Sequence, residues 1–345
     1  MKKYLLAVIL LALILSACGS PEPVTLRLMT HDSFEVSAET MAQFTEETGI
    51  AVDIFKSGDA GTVVNLAALA KDDPLADVLY GVDNTFLSRA LENDIFIPYE
   101  SPLIAELHPD LLLDPGHRAL PADFGDVCLN YDRAWFAASS LEPPQSLDDL
   151  VDPAYAGLTV VENPATSSPG LAFLLATVDG YGEDEYLDYW RQLVDNDVLV
   201  TDGWEDAYYG AFTAASDGDR PIVVSYASSP PAEVYFAETK LEAAPTASVV
   251  SDGSCFRQVE FVGVLKGTEY EEEAKMLVDF LLSRQFQEDV PLHMFVFPAN
   301  EKAELPEVFL KYSQIPVNPA TMSPDEIAQN RETWIQEWTA VVLRH

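Results

Sequence analysis

Positive charge is scarce in this 345-residue chain: 19 lysines and arginines stand against 57 aspartates and glutamates, a formal net charge of -38. Such a surface repels nucleic acid and anionic lipid, so nucleic acid is not expected as a partner. The plain reading of the acid excess is solubility or salt adaptation, with most carboxylates solvated; its functional reading is a field that favours a cationic ligand. Histidine is sparse too, with 5 residues and no clustered spacing. P-loop, GxGxxG, HExxH and CxxC patterns are all missing, so zinc chemistry and nucleotide-driven chemistry lack a motif, and neither metal nor cofactor is expected. No repeat or low-complexity tract interrupts the chain, and 48% hydrophobic residues are enough to build sizeable cores.

Long apolar runs are almost absent as well. The one at residues 4–15 follows Lys2 and Lys3 and ends in Leu15-Ser16-Ala17-Cys18. A membrane-crossing helix needs about 20 apolar residues. This run is shorter and ends at a small-residue processing site, which reads as a lipoprotein signal: residues 1–17 would be removed, Cys18 lipidated, and residues 18–23 left as a tether. The mature chain would be held by lipid on the outer face of the cytoplasmic membrane. Cysteine numbers only 3. With Cys18 assigned to lipid, Cys128 and Cys255 remain, and outside the cytoplasm such a pair favours a disulfide over two free thiols.

From residue 24 onward, strands and helices alternate. Residues 24–29, 50–55 and 76–80 read as strands. Residues 37–49 and 60–70 read as helices, the first capped by Ser37 and stopped at Gly49. A βαβαβ opening places ligand sites in the loops at the carboxyl ends of the strands, here residues 30–34, 57–61 and 81–85. A second unit begins after Phe124, with strands predicted at 127–131, 157–161 and 222–226, a proline-led turn at 143–150 and a helix at 169–178. A strand at 259–265 and helices at 271–283 and 323–343 follow.

Five segments, in this order, carry a resemblance: Thr30-His31-Asp32-Ser33-Phe34, residues 76–84, Asn163-Pro164-Ala165-Thr166-Ser167-Ser168-Pro169-Gly170, residues 201–208, and Ser225-Tyr226-Ala227-Ser228-Ser229-Pro230. Together with the Trp334-Ile335-Gln336-Glu337-Trp338 helix, the chain resembles thiamine-binding periplasmic proteins of ABC importers over nearly its whole mature length. The resemblance implies an α/β, two-lobed periplasmic-binding-protein fold of type II with the ligand cleft between lobes joined by hinge strands. Lobe 1 would take residues 24–125 and 257–300, lobe 2 residues 126–256, and residues 301–345 would form a helical segment packed on the lobes. It further implies a monomeric receptor that hands thiamine or thiamine phosphate to the permease subunits, without catalysis.

Thiamine combines a flat aminopyrimidine, a cationic thiazolium and a hydroxyethyl arm, so a site for it needs aromatic faces, a carboxylate, and hydroxyl or amide groups. Trp204 and Tyr226 match the family's cleft aromatics, although Trp204 would also suit a packed core. Asp83, with Asn84 beside it, and Asp32 are the expected polar partners of the cation or exocyclic amine; Asp32 would equally serve as a turn or cap residue. Thr166, Ser167, Ser168 and Gly170 precede a proline-opened helix and would either receive an anionic arm or simply cap that helix. Ser228 and Phe295 complete the expected set, while Phe297 is divided between cleft and core.

Departures from the family's pattern shift the expectation. Pro231-Ala232 replaces a tyrosine, leaving Tyr235 as the nearest ring; Ala165 stands where an arginine can occur; and Asp126 stands where the hinge can carry an aromatic. A lost cation and an added carboxylate favour free thiamine over its phosphates. Three alternatives remain: ferric iron, for which Tyr208-Tyr209 would offer oxygen ligands; a polyamine; and a thiaminase-like enzyme using Cys128 as nucleophile.

Overall fold

The computed structural model describes residues 24–58 and 60–344. The signal run, Cys18 and the 18–23 tether lie outside the described residues.

The chain opens as three parallel-type units. β1 (Thr25–Thr30) pairs with β2 (Ala51–Lys56) and with β3 (Val78–Asp83), all parallel, and the crossovers are α1 (Ala38–Thr48) and α2 (Ala60–Leu69). α1 begins where the Ser37 hydroxyl accepts the Thr40 amide at 3.1 Å, and it ends at Gly49, whose φ of 74° is a left-handed conformation open to glycine. A short helix, α3 (Leu87–Glu92), follows β3.

β4 (Leu120–Asp132) begins seven residues earlier than the sequence pattern suggests and is the spine of the molecule. Asp123, Gly125 and Asp126 interrupt its apolar pattern, which hides the first half from a periodicity argument. The structure satisfies both acids internally. Tyr80 donates its hydroxyl to Asp123, and Arg257 grips Asp126 through two hydrogen bonds of 2.9 Å.

Beyond it come β5 (Thr159–Glu162), α4 (Ser168–Tyr181), α5 (Tyr186–Asp195), β6 (Leu199–Thr201), a π-helical turn at Asp206–Ala211, β7 (Ile222–Tyr226), α6 (Ser229–Tyr235) and β8 (Thr246–Val249). β9 (Phe256–Val264), α7 (Glu271–Leu282), β10 (Phe297–Pro298), α8 (Glu307–Tyr312) and α9 (Pro324–Val342) complete the described chain. The strands join into one sheet of order β2-β1-β3-β9-β4-β7-β5-β6, with β8 and β10 attached to β4.

That sheet serves two cores. Leu28, Val78, Leu79, Phe261 and Leu277 belong to one, and Phe173, Trp190, Val224, Trp334 and Trp338 to the other. On β4 the change of core falls between Phe124 and Val127, and on β9 between Phe256 and Val259. β4 and β9 are antiparallel neighbours, with Gly125 opposite Gln258 and Asp126 opposite Arg257. Two adjacent strands thus cross between the lobes side by side, a hinge that lets one lobe rotate while each core stays packed. The segment after residue 300 divides between them: Phe309 of α8 enters the first core, and Ile327, Trp334 and Trp338 of α9 enter the second.

A disulfide joins Cys128 of β4 to Cys255, the residue just before β9, with Cα atoms 4.3 Å apart. It lies just inside the second lobe, beside both crossing strands.

Candidate functional site

A cavity of about 770 Å³ lies between the two cores, within the range of about 300–1,000 Å³ usual for small-molecule pockets. The loop after β1 brings His31 and Asp32 to it, β3 brings Asp83, β9 brings Gln258 and Glu260, and the turn before β10 brings Phe295. From the second lobe come Ser167, Ser168, Trp204, Tyr208, Tyr226 and Ser228.

Its aromatic wall is built on the π-helical turn, an insertion that re-aims side chains without ending the helical chain. Trp204 stacks on Tyr208 with centroids 4.9 Å apart and ring planes 24° apart, and its indole N–H donates to the Ser225 hydroxyl at 2.9 Å. One face of the indole is therefore supported, and its polar edge is satisfied. Tyr208 is buried and donates to Glu233, which also accepts from Thr246. Tyr209, next in sequence, is 61% exposed. Both tyrosines border the cavity, Tyr208 buried in its wall and Tyr209 open to solvent.

Phe295 holds the opposite rim at a φ of +54°, strained for a bulky side chain. Its ring meets Phe236 of the second lobe at 5.0 Å. Phe236 lines the cavity, and Tyr235 packs against its ring at 5.3 Å. Phe297 is core, stacked on Phe124 at 5.3 Å.

The carboxylates are arranged differently from the sequence-based expectation. Asp83 lines the cavity yet is fully buried, and both its oxygens are engaged. One accepts from the Thr85 amide and hydroxyl, the other from the Ser168 hydroxyl at 2.7 Å and the Gln258 amide at 3.2 Å. Burial pushes its pKa up, although the hydroxyl donors pull the other way. Asp32 is exposed at the rim and accepts the Gly58 amide at 3.0 Å, a turn contact.

The carboxylate best placed for a cation is Glu260, which the motif reading did not single out. It is half-buried and lies 3.1 Å from His31 Nε2. Burial works against its charge, but the neighbouring imidazole, helped by a hydrogen bond with Asp123, overcomes this and holds its pKa below the usual value. Conversely, burial alone would lower the His31 pKa, and Glu260, with Asp83 and Asp32, raises it instead. Gly81 makes room for this imidazole: a Cβ there would sit 2.1 Å from the ring. Glu260 was legible as the lone acid in an apolar strand.

Two expected residues, and the added carboxylate of Asp126, do not reach the cavity. Asn84 spends its amide on the Arg257 carbonyl and the Val259 N–H, fastening β3 to β9. Gly170 lies under β5, where a Cβ would be 2.6 Å from the Glu162 carbonyl, and its N–H goes to the Ser167 cap. Asp126 is paired with Arg257 in the hinge, so it adds no free carboxylate to the cleft. Ser167, Ser168, Tyr226 and Ser228 do line it. Tyr226 donates to Gln258 at 3.0 Å, and the Ser228 hydroxyl is buried without a protein partner.

An α/β protein with two cores, two hinge strands and a ligand-sized interlobe cavity is a periplasmic binding protein of the type II fold. The chain belongs to the family described as bacterial extracellular solute-binding protein, whose profile matches residues 73–317. It is 29% identical over 342 residues to the thiamine-binding periplasmic protein of Escherichia coli K12, covering 96% of this chain and 98% of that one. It is 28% identical over 331 residues to the protein of the same name from Brucella suis, covering 93% and 92%. Among solved structures, a periplasmic thiamin binding protein superposes with a TM-score of 0.75 at 26% identity, covering 94% of this chain and 98% of that chain. Iron-bound HitA from Pseudomonas aeruginosa reaches 0.73 at 20% identity, covering 92% and 99%, and shares the fold. The family is one of solute-binding proteins rather than of enzymes. Among the described residues, no helix is long and apolar enough to cross a membrane.

Proposed function

We propose that this protein is the lipid-anchored capture component of an ABC importer for thiamine, holding the vitamin between its lobes and presenting it to the permease subunits. The observation that carries this reading is the pairing, across one cavity, of the Trp204–Tyr208 stack with the Glu260 carboxylate. A heteroaromatic cation gains from both, by about 0.5–2 kcal/mol for a cation over an aromatic face. Likeness over nearly the full chain to thiamine-binding proteins supports the choice of cation. In this reading Tyr226 and Ser228 offer hydroxyls to the ligand's heteroatoms, and Phe295 closes the rim. Capture is a shift of population toward the closed form, with no bond made or broken.

The alternatives fit the site less well. For ferric iron, the Tyr208 hydroxyl is committed to Glu233, so the tyrosine pair does not present two open oxygen ligands. A Cys128 nucleophile needs a thiol, and its sulfur is bonded to Cys255. The deciding test is tryptophan fluorescence of the purified protein titrated with thiamine, spermidine and ferric citrate. Saturable quenching by thiamine, with no competition from the other two, is expected; tighter binding of spermidine or iron would replace this reading.

A further inference from the structure

Beside the main cleft, a second cavity of about 310 Å³ opens between α2 and α3 of the first lobe and the α4 entry and α9 of the second. Its charge is opposite in sign. Two guanidiniums line it, Arg89 from α3 and Arg331 from α9, in a chain with 19 basic residues in all. Arg331 lies 4.4 Å from the centroid of Phe86, a ring packed on the first core, so it already reaches across the lobes. One of its N–H groups goes to Glu332 at 2.8 Å, a carboxylate that also borders the cavity but is 72% exposed. With five donors on a guanidinium, the others remain available. Among the described residues, no carboxylate pairs with Arg89.

Asn65 also lines this cavity, and its side-chain oxygen position is buried without a partner. An amide flip would turn that position into an N–H donor toward the cavity. Ala165, whose small side chain argued against a phosphorylated ligand in the main cleft, lies in the same wall. Ala60, Thr166, Ser167 and Ser168 border both cavities, which therefore share a wall.

We propose that this side cavity is an anion subsite for a phosphate group, held between Arg89 of one lobe and Arg331 of the other. Guanidinium matches phosphate oxygens in geometry as well as charge. An anion bridging the lobes favours the closed form, because only there do both arginines reach it. The phosphate is either the ester arm of a ligand in the main cleft or a free anion bound alongside it. The first source rests on the thiamine reading above; the second does not.

Calorimetric titration of the wild-type protein and of Arg89→Gln with thiamine, thiamine monophosphate and inorganic phosphate tests the proposal. Arg89 is on the surface, so its replacement leaves folding intact, and Arg331→Lys provides a second variant that keeps the charge but loses the fork. If the subsite takes the ligand's arm, R89Q binds thiamine within about twofold of wild type and thiamine monophosphate about tenfold or more weakly. If it takes a free anion, inorganic phosphate binds the wild type, tightens its thiamine binding, and does neither in R89Q. Wild-type affinities for both phosphate probes in R89Q and R331K would overturn the proposal. Should thiamine and its monophosphate both fail to bind, inorganic phosphate alone decides: binding lost in R89Q supports the subsite, and no binding to wild type refutes it.

Discussion

The Ser168 hydroxyl donates to the Asp83 carboxylate at 2.7 Å, and the two residues come from opposite lobes. Gln258, on the hinge strand between them, donates to both Asp83 and Ser168 at 3.2 and 3.0 Å. This buried triad links the floor of the cleft to the contact that holds the lobes together.

Ser168→Ala removes the cross-lobe donor while Thr85 and Gln258 still satisfy Asp83. The ligand-free protein is expected to be more open by small-angle scattering, and thiamine affinity to fall about threefold to tenfold, as for the net worth of one ordinary hydrogen bond. An unchanged scattering radius would show that the contact does not govern closure.

The His31–Glu260 pair makes stability depend on pH. His31 has its folded pKa raised above 6.5, so its contribution is full below that value and is lost as pH rises through the folded pKa. Glu260 has its folded pKa lowered below 4.5, so its contribution is present above that value and is lost as pH falls through the folded pKa. Thermal melts of wild type and His31→Gln should therefore differ most between about pH 4.5 and 6.5, by about 1–3 kcal/mol, with the gap closing at higher pH. A gap that is constant up to pH 9 would remove the ion pair from the account.

Trp204→Ala strips the aromatic wall down to Tyr208. Thiamine affinity should fall about tenfold or more, since stacking and the cation–ring attraction are lost together. Trp204→Phe should recover part of it. Equal affinity for all three proteins would place the ligand elsewhere.

The Cys128–Cys255 bond closes a separation of 127 residues beside the hinge. Replacing both cysteines by alanine should cost about 2–4 kcal/mol in denaturant unfolding. Alkylation under denaturing, non-reducing conditions followed by peptide mass mapping should find neither residue labelled, and labelling of both would contradict the bond.

The sequence was most readable where local signals and tertiary structure agree. Ser37 and Gly49 delimit α1, Pro169 follows the Ser167 cap of α4, and Ser323 accepts the Glu326 amide at the head of α9. The first half of β4 was hidden because its acids are satisfied by Tyr80 and Arg257, partners more than 40 residues away. The same limit applies to the site. Motif order brought out Trp204, Tyr226 and Ser228, residues whose loops meet at the cleft. It could not separate Asp83, whose oxygens are consumed by neighbours, from Glu260, whose ionisation depends on a histidine 229 residues distant. Hydrogen-bond competition among buried groups is a property of the folded arrangement, and no spacing rule encodes it.

The central claim, capture of an intact heteroaromatic cation between Trp204 and Glu260, is tested most directly by calorimetric titration of wild type and Glu260→Gln with thiamine, with mass analysis of the recovered ligand. Saturable one-to-one binding of unaltered thiamine, weakened about tenfold or more in the variant, is the predicted result. Thiamine returned cleaved, or equal affinity in the two proteins, would contradict it.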